Sequence, residues 1–195
     1  MNYLAHIYLS NGSPEALLGS MLGDFVKGDD HRHYPQEIAA SILLHRKVDS
    51  FTDTHPIVIR SKRRLDPAHR HTKGIIVDMF YDHFLAADWG RYCDTPLAQF
   101  AGEVYKVLLN SPVPLPPRMQ RMLPFMMADD WLSAYSHIDG IARALGGLSR
   151  RLKFPNHLDG AVTDLRRHYN ELKNDFEAFF PQLESYAGQV QAAGN

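Results

Sequence analysis

An all-α, single-domain helical bundle is what this sequence predicts, and three observations predict it. Positions that share one helical face recur at spacings of three and four, as Ile75, Asp78, Asp82, Leu85 and Trp89 do. No sustained alternation of apolar and polar residues suggests a strand. The links between periodic segments are short, without repeats or low-complexity runs. At 195 residues the chain fits one domain with a real core. That domain is expected over residues 1–187, with GQVQAAGN at 188–195 as a flexible tail.

Each helix has its own signals. Residues 2–10 are apolar enough for a short first helix. Ser13-Pro14-Glu15 then gives a capping hydroxyl, a proline at the first helical position and an acid at the positive dipole end. The helix it opens, ALLGSMLGDF, is expected to fray at the glycines around Asp24. Tyr34-Pro35-Gln36-Glu37 starts the next helix, which stops before Pro56, and residues 56–65 form another, ending near Asp66-Pro67. A longer helix fits 71–89, and Thr95-Pro96 caps one running to about Leu109. SPVPLPP at 111–117 is a loop, and helix resumes near Arg118. Further helices are expected at 129–136, 138–152 and 159–186.

Composition narrows the setting more than the function. A formal net charge of -1 gives no support for nucleic-acid or membrane binding. A single cysteine, Cys93, cannot form an internal disulfide and suits a reducing cytoplasm. The opening MNYLAHIYLSNG lacks a basic stretch and a long apolar run, so no signal peptide is expected. No segment approaches the roughly 20 apolar residues that span a bilayer. No heptad pattern speaks to oligomeric state. The eleven histidines are the unusual feature.

Four places set ionisable residues among apolar ones: His6 in NYLAHIYL, Asp24 in LGDFVKG beside Lys27, His45/Asp49/Asp53 in LLHRKVDSFTDTHP, and Asp78/Asp82/His83 in VDMFYDHF. Each has an ordinary explanation by itself. His6 reads as a hydrogen-bonded core histidine, Asp24 and Asp53 as caps, and Asp82-His83 as a surface pair. Together they point elsewhere. His45, Asp49 and Asp53 continue the face that Ile38 and Ile42 begin, so two helices carry ionisable groups along apolar stripes. Inward carboxylates repel unless they are protonated or share a cation. Imidazole with carboxylate suits Mn, Fe, Zn or Mg, the harder ions gaining as oxygen ligands increase, and the lack of thiols argues against structural zinc. Such sites recur in hydrolysis of phosphate esters. Phe80, Phe84, Met126, Met127 and Trp131 line either a pocket or simply the core.

Charge is also concentrated locally. IRSKRRLDPAHRHTK, 59–73, holds Arg60, Lys62, Arg63, Arg64, Arg70 and Lys73 against Asp66 alone. It reads as a solvated face or as a dock for an acidic partner; without interleaved aromatics, single-stranded nucleic acid is disfavoured. Arg150-Arg151 either grips a phosphate or faces solvent at a helix end.

The ordered set MNYLAHIYLS, LLGSMLGDFVKG, LHRKVDSFTDTHP, VDMFYDHFLAADW and DWLSAYSHIDGIARALGGLSRR resembles the acyl carrier protein phosphodiesterase family. The resemblance implies hydrolysis of the phosphodiester joining 4′-phosphopantetheine to a serine of holo-acyl carrier protein. It also implies dependence on Mn²⁺, as one or two ions with Mg²⁺ or another divalent ion as substitutes, and a distant likeness to HD-type helical phosphohydrolases. By motif, Asp24 is the essential position, and His45, Asp49 and Asp78 are the first metal ligands. His6 and Asp82 are further ligands or their partners. Lys27 then stabilises phosphoryl charge, His6 or His83 protonates the leaving serine oxygen, and the 59–73 patch docks the acidic carrier protein. The adjacent His-Asp signature of HD enzymes is absent; Asp82-His83 has the two residues in reverse order. The competing readings are an HD-like hydrolase of a small nucleotide and a helical binding module.

Overall fold

The computed structural model of the chain describes residues 1–10 and 12–194. Among these it forms eleven α-helices and no strand: α1 (Tyr3–Tyr8), α2 (Pro14–Leu22), α3 (Gln36–Thr54), α4 (Pro56–Arg64), α5 (Lys73–Ala87), α6 (Leu97–Leu109), α7 (Pro117–Ala128), α8 (Trp131–Ala134), α9 (Ile138–Arg151), α10 (Val162–Arg167) and α11 (Tyr169–Gly194). The expected all-α architecture is what forms. No helix among the described residues is long and apolar enough to cross a membrane.

Helix α5 is the axis of the fold, with Ile76, Val77, Met79 through Phe84, Leu85 and Ala86 all buried. A helix that is apolar on nearly every face must be covered on every face. Here α1, α4, α9 and α11 supply the cover. Tyr81 and Phe84 meet Phe176 of α11 edge-on or tilted, with ring centroids 5.5 and 5.9 Å apart. Each fully buried aromatic of this kind contributes about 1.5–3 kcal/mol by leaving water.

The pairing of α2 with α3 places the chemistry. Ser13 caps α2, its Oγ accepting the Ala16 N–H at 3.1 Å, as the sequence predicts. Glycines let the two helices approach closely. A Cβ on Gly19 would lie 2.5 Å from the Ile38 carbonyl oxygen, and one on Gly23 would lie 2.2 Å from the His45 ring. Ser41 Oγ closes the contact by donating to Ala16 O at 2.7 Å.

Three expectations are corrected. The buried face of α3 runs Ile38, Ile42, His45, Val48 and Thr52, leaving Asp53 exposed and paired with Lys62 Nζ at 2.8 Å rather than capping the next segment. Each step of four residues drifts by about 40° around a helix of 3.6 residues per turn, so the stripe that carries His45 and Asp49 has turned away by residue 53. The helix expected over 159–186 breaks at His168 (φ -116°, ψ 26°), which separates α10 from α11. The tail expected to fray from 188 is helical as far as Gly194, because Val190 packs on the core and Gln191 Nε2 donates to Leu9 O at 3.1 Å. The tail's last residue, Asn195, lies outside the described residues.

Candidate metal centre

His6 of α1, Asp24 just beyond α2, His45 and Asp49 of α3, and Asp78 of α5 converge at one end of the α2–α3 pair. Their placement follows from the packing already described. Gly23 leaves room for the His45 ring, and Ser20 O receives the His45 Nδ1–H at 2.7 Å. A carbonyl oxygen only accepts, so this bond fixes the tautomer and directs Nε2 away from α2. His45 Nε2 then lies 3.3 Å from Asp49 Oδ2 and 3.6 Å from Asp24 Oδ1. The His6 ring stacks on His45 with centroids 3.6 Å apart, and its Nε2 is 3.0 Å from Asp49 Oδ1. Among the described residues, donor atoms of His6, His45 and Asp49 all lie within 4.8 Å of one another. Asp78 Oδ1 faces the α-amino group of Met1 at 3.1 Å, and that group is also 3.5 Å from Asp49 Oδ1.

The electrostatics follow from these contacts. Burial by itself would raise the Asp49 carboxyl, but hydrogen bonds from His45 and His6 hold it well below the usual carboxylate range. Burial raises Asp24 as well, and the hydrogen bond from His45 outweighs it. Burial would lower His45, yet its bonds to Asp24 and Asp49 push it up to about 9. Burial, with His45 beside it, drops His6 to about 4. Burial raises Asp78 against the pull of the Met1 amino group. One imidazolium and one neutral imidazole thus sit beside the ionised Asp24 and Asp49.

The donor set fits a divalent cation. Imidazole nitrogen and several carboxylate oxygens gather with no thiol, the pattern that borderline and hard ions share. The buried His6 Nδ1 has no hydrogen-bond partner among the described residues. Asp49 is half-exposed and Asp24 about as open, with side chains 41% and 49% accessible, so the acids look outward from the core.

Asp24 and Asp78 line a cavity of about 570 Å³, whose wall also includes Tyr3, Met79, Met122 and Trp131. Such a volume suits a small ligand or an extended arm of one. Lys27 and Arg151 line it; Arg150 does not. Met126, Phe80 and Phe84 are core, while Trp131 reaches the wall.

Other expected site residues lie elsewhere. Asp82 is fully buried and accepts N–H groups from Asn2 (3.3 Å), Leu4 (2.7 Å) and Ala5 (3.3 Å), so both oxygens cap the start of α1. A helix N-terminus with no cap of its own takes its acid from α5 instead. That use leaves Asp82 no oxygen directed at the His6, His45 and Asp49 donors. His83 is buried against Tyr135 O (2.8 Å) and the Tyr169 hydroxyl (3.2 Å), and the cavity does not reach it. Half of the basic patch is paired with acids of the fold. Arg60 and Arg64 both hold Asp175 of α11, at 2.6 and 3.1 Å, Lys62 holds Asp53, and Lys73 donates to Leu65 O at 2.7 Å. Arg118, Arg121 and Tyr3 also line the cavity, and sequence reasoning missed all three. The three-residue spacing of the arginines on α7 was a readable signal, hidden beside the proline-rich loop.

The sequence profile of a family described as acyl carrier protein phosphodiesterase matches residues 1–183. Curated relatives that carry the same description are similar over nearly the whole chain. The one from Yersinia enterocolitica is 33% identical, covering 98% of this chain and all of its own length. That from Photorhabdus laumondii is 33% identical over 95% of this chain and 92% of its own, and that from Salmonella agona is 30% identical over 97% and 98%. No solved structure matches the chain, so the likeness to HD-type phosphohydrolases has no structural counterpart.

Proposed function

This chain belongs to the acyl carrier protein phosphodiesterase family, and from that premise we propose that it hydrolyses the phosphodiester between 4′-phosphopantetheine and the serine of holo-acyl carrier protein, releasing the apo form. The observation that supports the reading is the His6/His45/Asp49 cluster opening, through Asp24 and Asp78, into a cavity with cationic residues on its wall. His6, His45 and Asp49 would hold a divalent cation, Mn²⁺ by resemblance or Mg²⁺ by its oxygen-rich surroundings, and Asp24 and Asp78 would complete one site or share a second. When bound, such an ion lowers the pKa of a coordinated water and offsets charge on phosphoryl oxygens.

The chain's own groups do the rest. Ser20 O holds the His45 tautomer, so Nε2 presents its lone pair once its proton is displaced. Asp24 stays ionised at the cavity edge and orients a water by accepting its hydrogen bond. Lys27 and Arg151 neutralise the phosphoryl oxygens as charge develops. His6, neutral at pH 7, serves as a donor atom rather than as an acid. Tyr3, whose phenol burial keeps protonated, offers the cavity a neutral O–H near the leaving serine oxygen. The cytoplasm, where thiols stay reduced, suits the lone Cys93.

The test is the mass of holo-acyl carrier protein after incubation with the protein and Mn²⁺. The wild type removes the phosphopantetheine mass, and Asp49→Ala slows that loss by at least about 10²-fold. An unchanged mass with several carrier proteins and divalent metals would sink the proposal and favour a small-nucleotide substrate.

A further inference from the structure

We propose that the carrier protein docks on the exposed face of α7, across the mouth of the cavity, and not on the 59–73 segment; this rests on the function proposed above. Arg118, Arg121 and Phe125 stand at positions i, i+3 and i+7 of α7, so they share one face. All three line the cavity. Phe125 is 66% exposed, a large aromatic left in water at the mouth.

The cations here differ from those of the 59–73 segment in what they touch. Among the described residues no carboxylate lies within ion-pair distance of Lys27, Arg118, Arg121 or Arg151. Two are held by aromatic faces instead: Arg118 sits 5.9 Å from the Phe25 ring centroid and Arg151 5.6 Å from that of Trp131. A cation stacked on a ring is fixed in place while its charge stays unneutralised. Four unneutralised charges around one opening, two of them fixed on rings and with an exposed aromatic among them, make a surface that matches an acidic protein with an apolar contact of its own. In the 59–73 segment, by contrast, Arg60, Arg64 and Lys62 already hold acids of the same chain.

The position also suits the reaction. A protein seated over α7 would bring its serine phosphodiester to the cavity that Lys27, Arg151, Asp24 and Asp78 line, with the pantetheine arm lying within it. The positive rim speeds encounter with an acidic partner.

Steady-state hydrolysis of holo-acyl carrier protein by the full chain tests this, at low and high salt, alongside titration of apo-acyl carrier protein, which carries no phosphodiester. Arg118→Glu/Arg121→Glu should raise KM about tenfold at low ionic strength, with the difference shrinking as salt rises. The loss should fall on KM far more than on kcat. Arg118→Lys/Arg121→Lys, which keeps the charge, should recover most of the affinity and shows that folding is not the cause. Phe125→Ala should weaken binding of apo-acyl carrier protein at every salt concentration. An unchanged KM in the double reversal, or a larger increase from Arg63→Glu/Arg70→Glu, overturns the proposal. A wild type that binds apo-acyl carrier protein through α7 yet leaves the holo form intact defeats the reaction and upholds the surface. A wild type that hydrolyses the holo form with no dependence on α7 does the reverse.

Discussion

Two histidine–aspartate pairs with buried imidazoles look alike in this molecule and do different things. His69 Nε2 lies 3.2 Å from Asp164 Oδ2, with side chains 6% and 4% exposed. His45 Nε2 lies 3.3 Å from Asp49 Oδ2, with side chains 2% and 41% exposed. The first pair is closed. The Asp164 Oδ2 atom also takes the Asp66 N–H at 2.7 Å, and together these bonds tie α10 to the turn between α4 and α5. The second pair is open, since Asp49 shares its surroundings with His6, Asp24 and Asp78 and faces outward. Asp175 is of the closed kind, bound by Arg60, Arg64 and Ser61, and so is Asp82, bound by three backbone N–H groups. Burial and a partner therefore do not mark a site. Acids gathered with lone pairs left over, beside space, do.

The largest effect expected from breaking this contrast is on stability. Asp164→Ala leaves the buried His69 and the Asp66 N–H without their acceptor, which costs about 3 kcal/mol. In a chain of this size that lowers Tm by roughly 10 °C. Turnover per folded molecule should be unaltered, because neither residue lines the cavity. Denaturant unfolding combined with a turnover assay below the transition reads both quantities. A loss of turnover in the folded fraction would merge the two pairs into one system and end the distinction.

The same contrast explains what the sequence could reveal. Helix starts at Pro14 and Pro56 were legible because a proline's fixed φ and missing N–H act locally. His45 and Asp49 were legible because four-residue spacing keeps two side chains on one face, and Asp53 misled because drift accumulates over a second step. Asp82 misled for a different reason. Its periodicity reported burial correctly, but its partners are the N–H groups of Asn2, Leu4 and Ala5, far away along the chain. The 59–73 segment hid its partner likewise, since the acid that neutralises Arg60 and Arg64 is Asp175 on the last helix. Local chemistry shows through a sequence; the far partner that closes or opens a group does not.

A smaller effect tests how the open pair is held. Gly23 has ordinary helical angles, so alanine fits its backbone, but the added methyl would lie 2.2 Å from the His45 ring. The ring must shift, and with it the bond from Nδ1 to Ser20 O that aims Nε2. A displacement of the order of 1 Å costs about 10²-fold in rate, equivalent to about 2.7 kcal/mol. Gly23→Ala should also weaken divalent-metal binding, read by calorimetric titration, while the closed pairs keep the helices folded by circular dichroism. Wild-type turnover in this variant would mean that His45 has no positional role.

The smallest effect separates neighbours on one helix. Asp49 and Asp53 are one step of four apart on α3, yet Asp49 meets His6 and His45 whereas Asp53 meets only the Lys62 ammonium, at 2.8 Å, on the surface. An exposed pair of this kind contributes at most about 1 kcal/mol, since water and salt screen it and two long side chains must be ordered to form it. Asp53→Ala should therefore shift unfolding by less than about 1 kcal/mol, and that shift should vanish at high salt. Metal affinity should stay near that of the wild type, because the drift around the helix has carried residue 53 away from the imidazoles. A drop in metal affinity comparable to that of Asp49→Ala would place Asp53 among the ligands after all. The open cluster would then extend along α3 into a cleft that Asp53 and Asp78 both line, with Lys62 and Lys73.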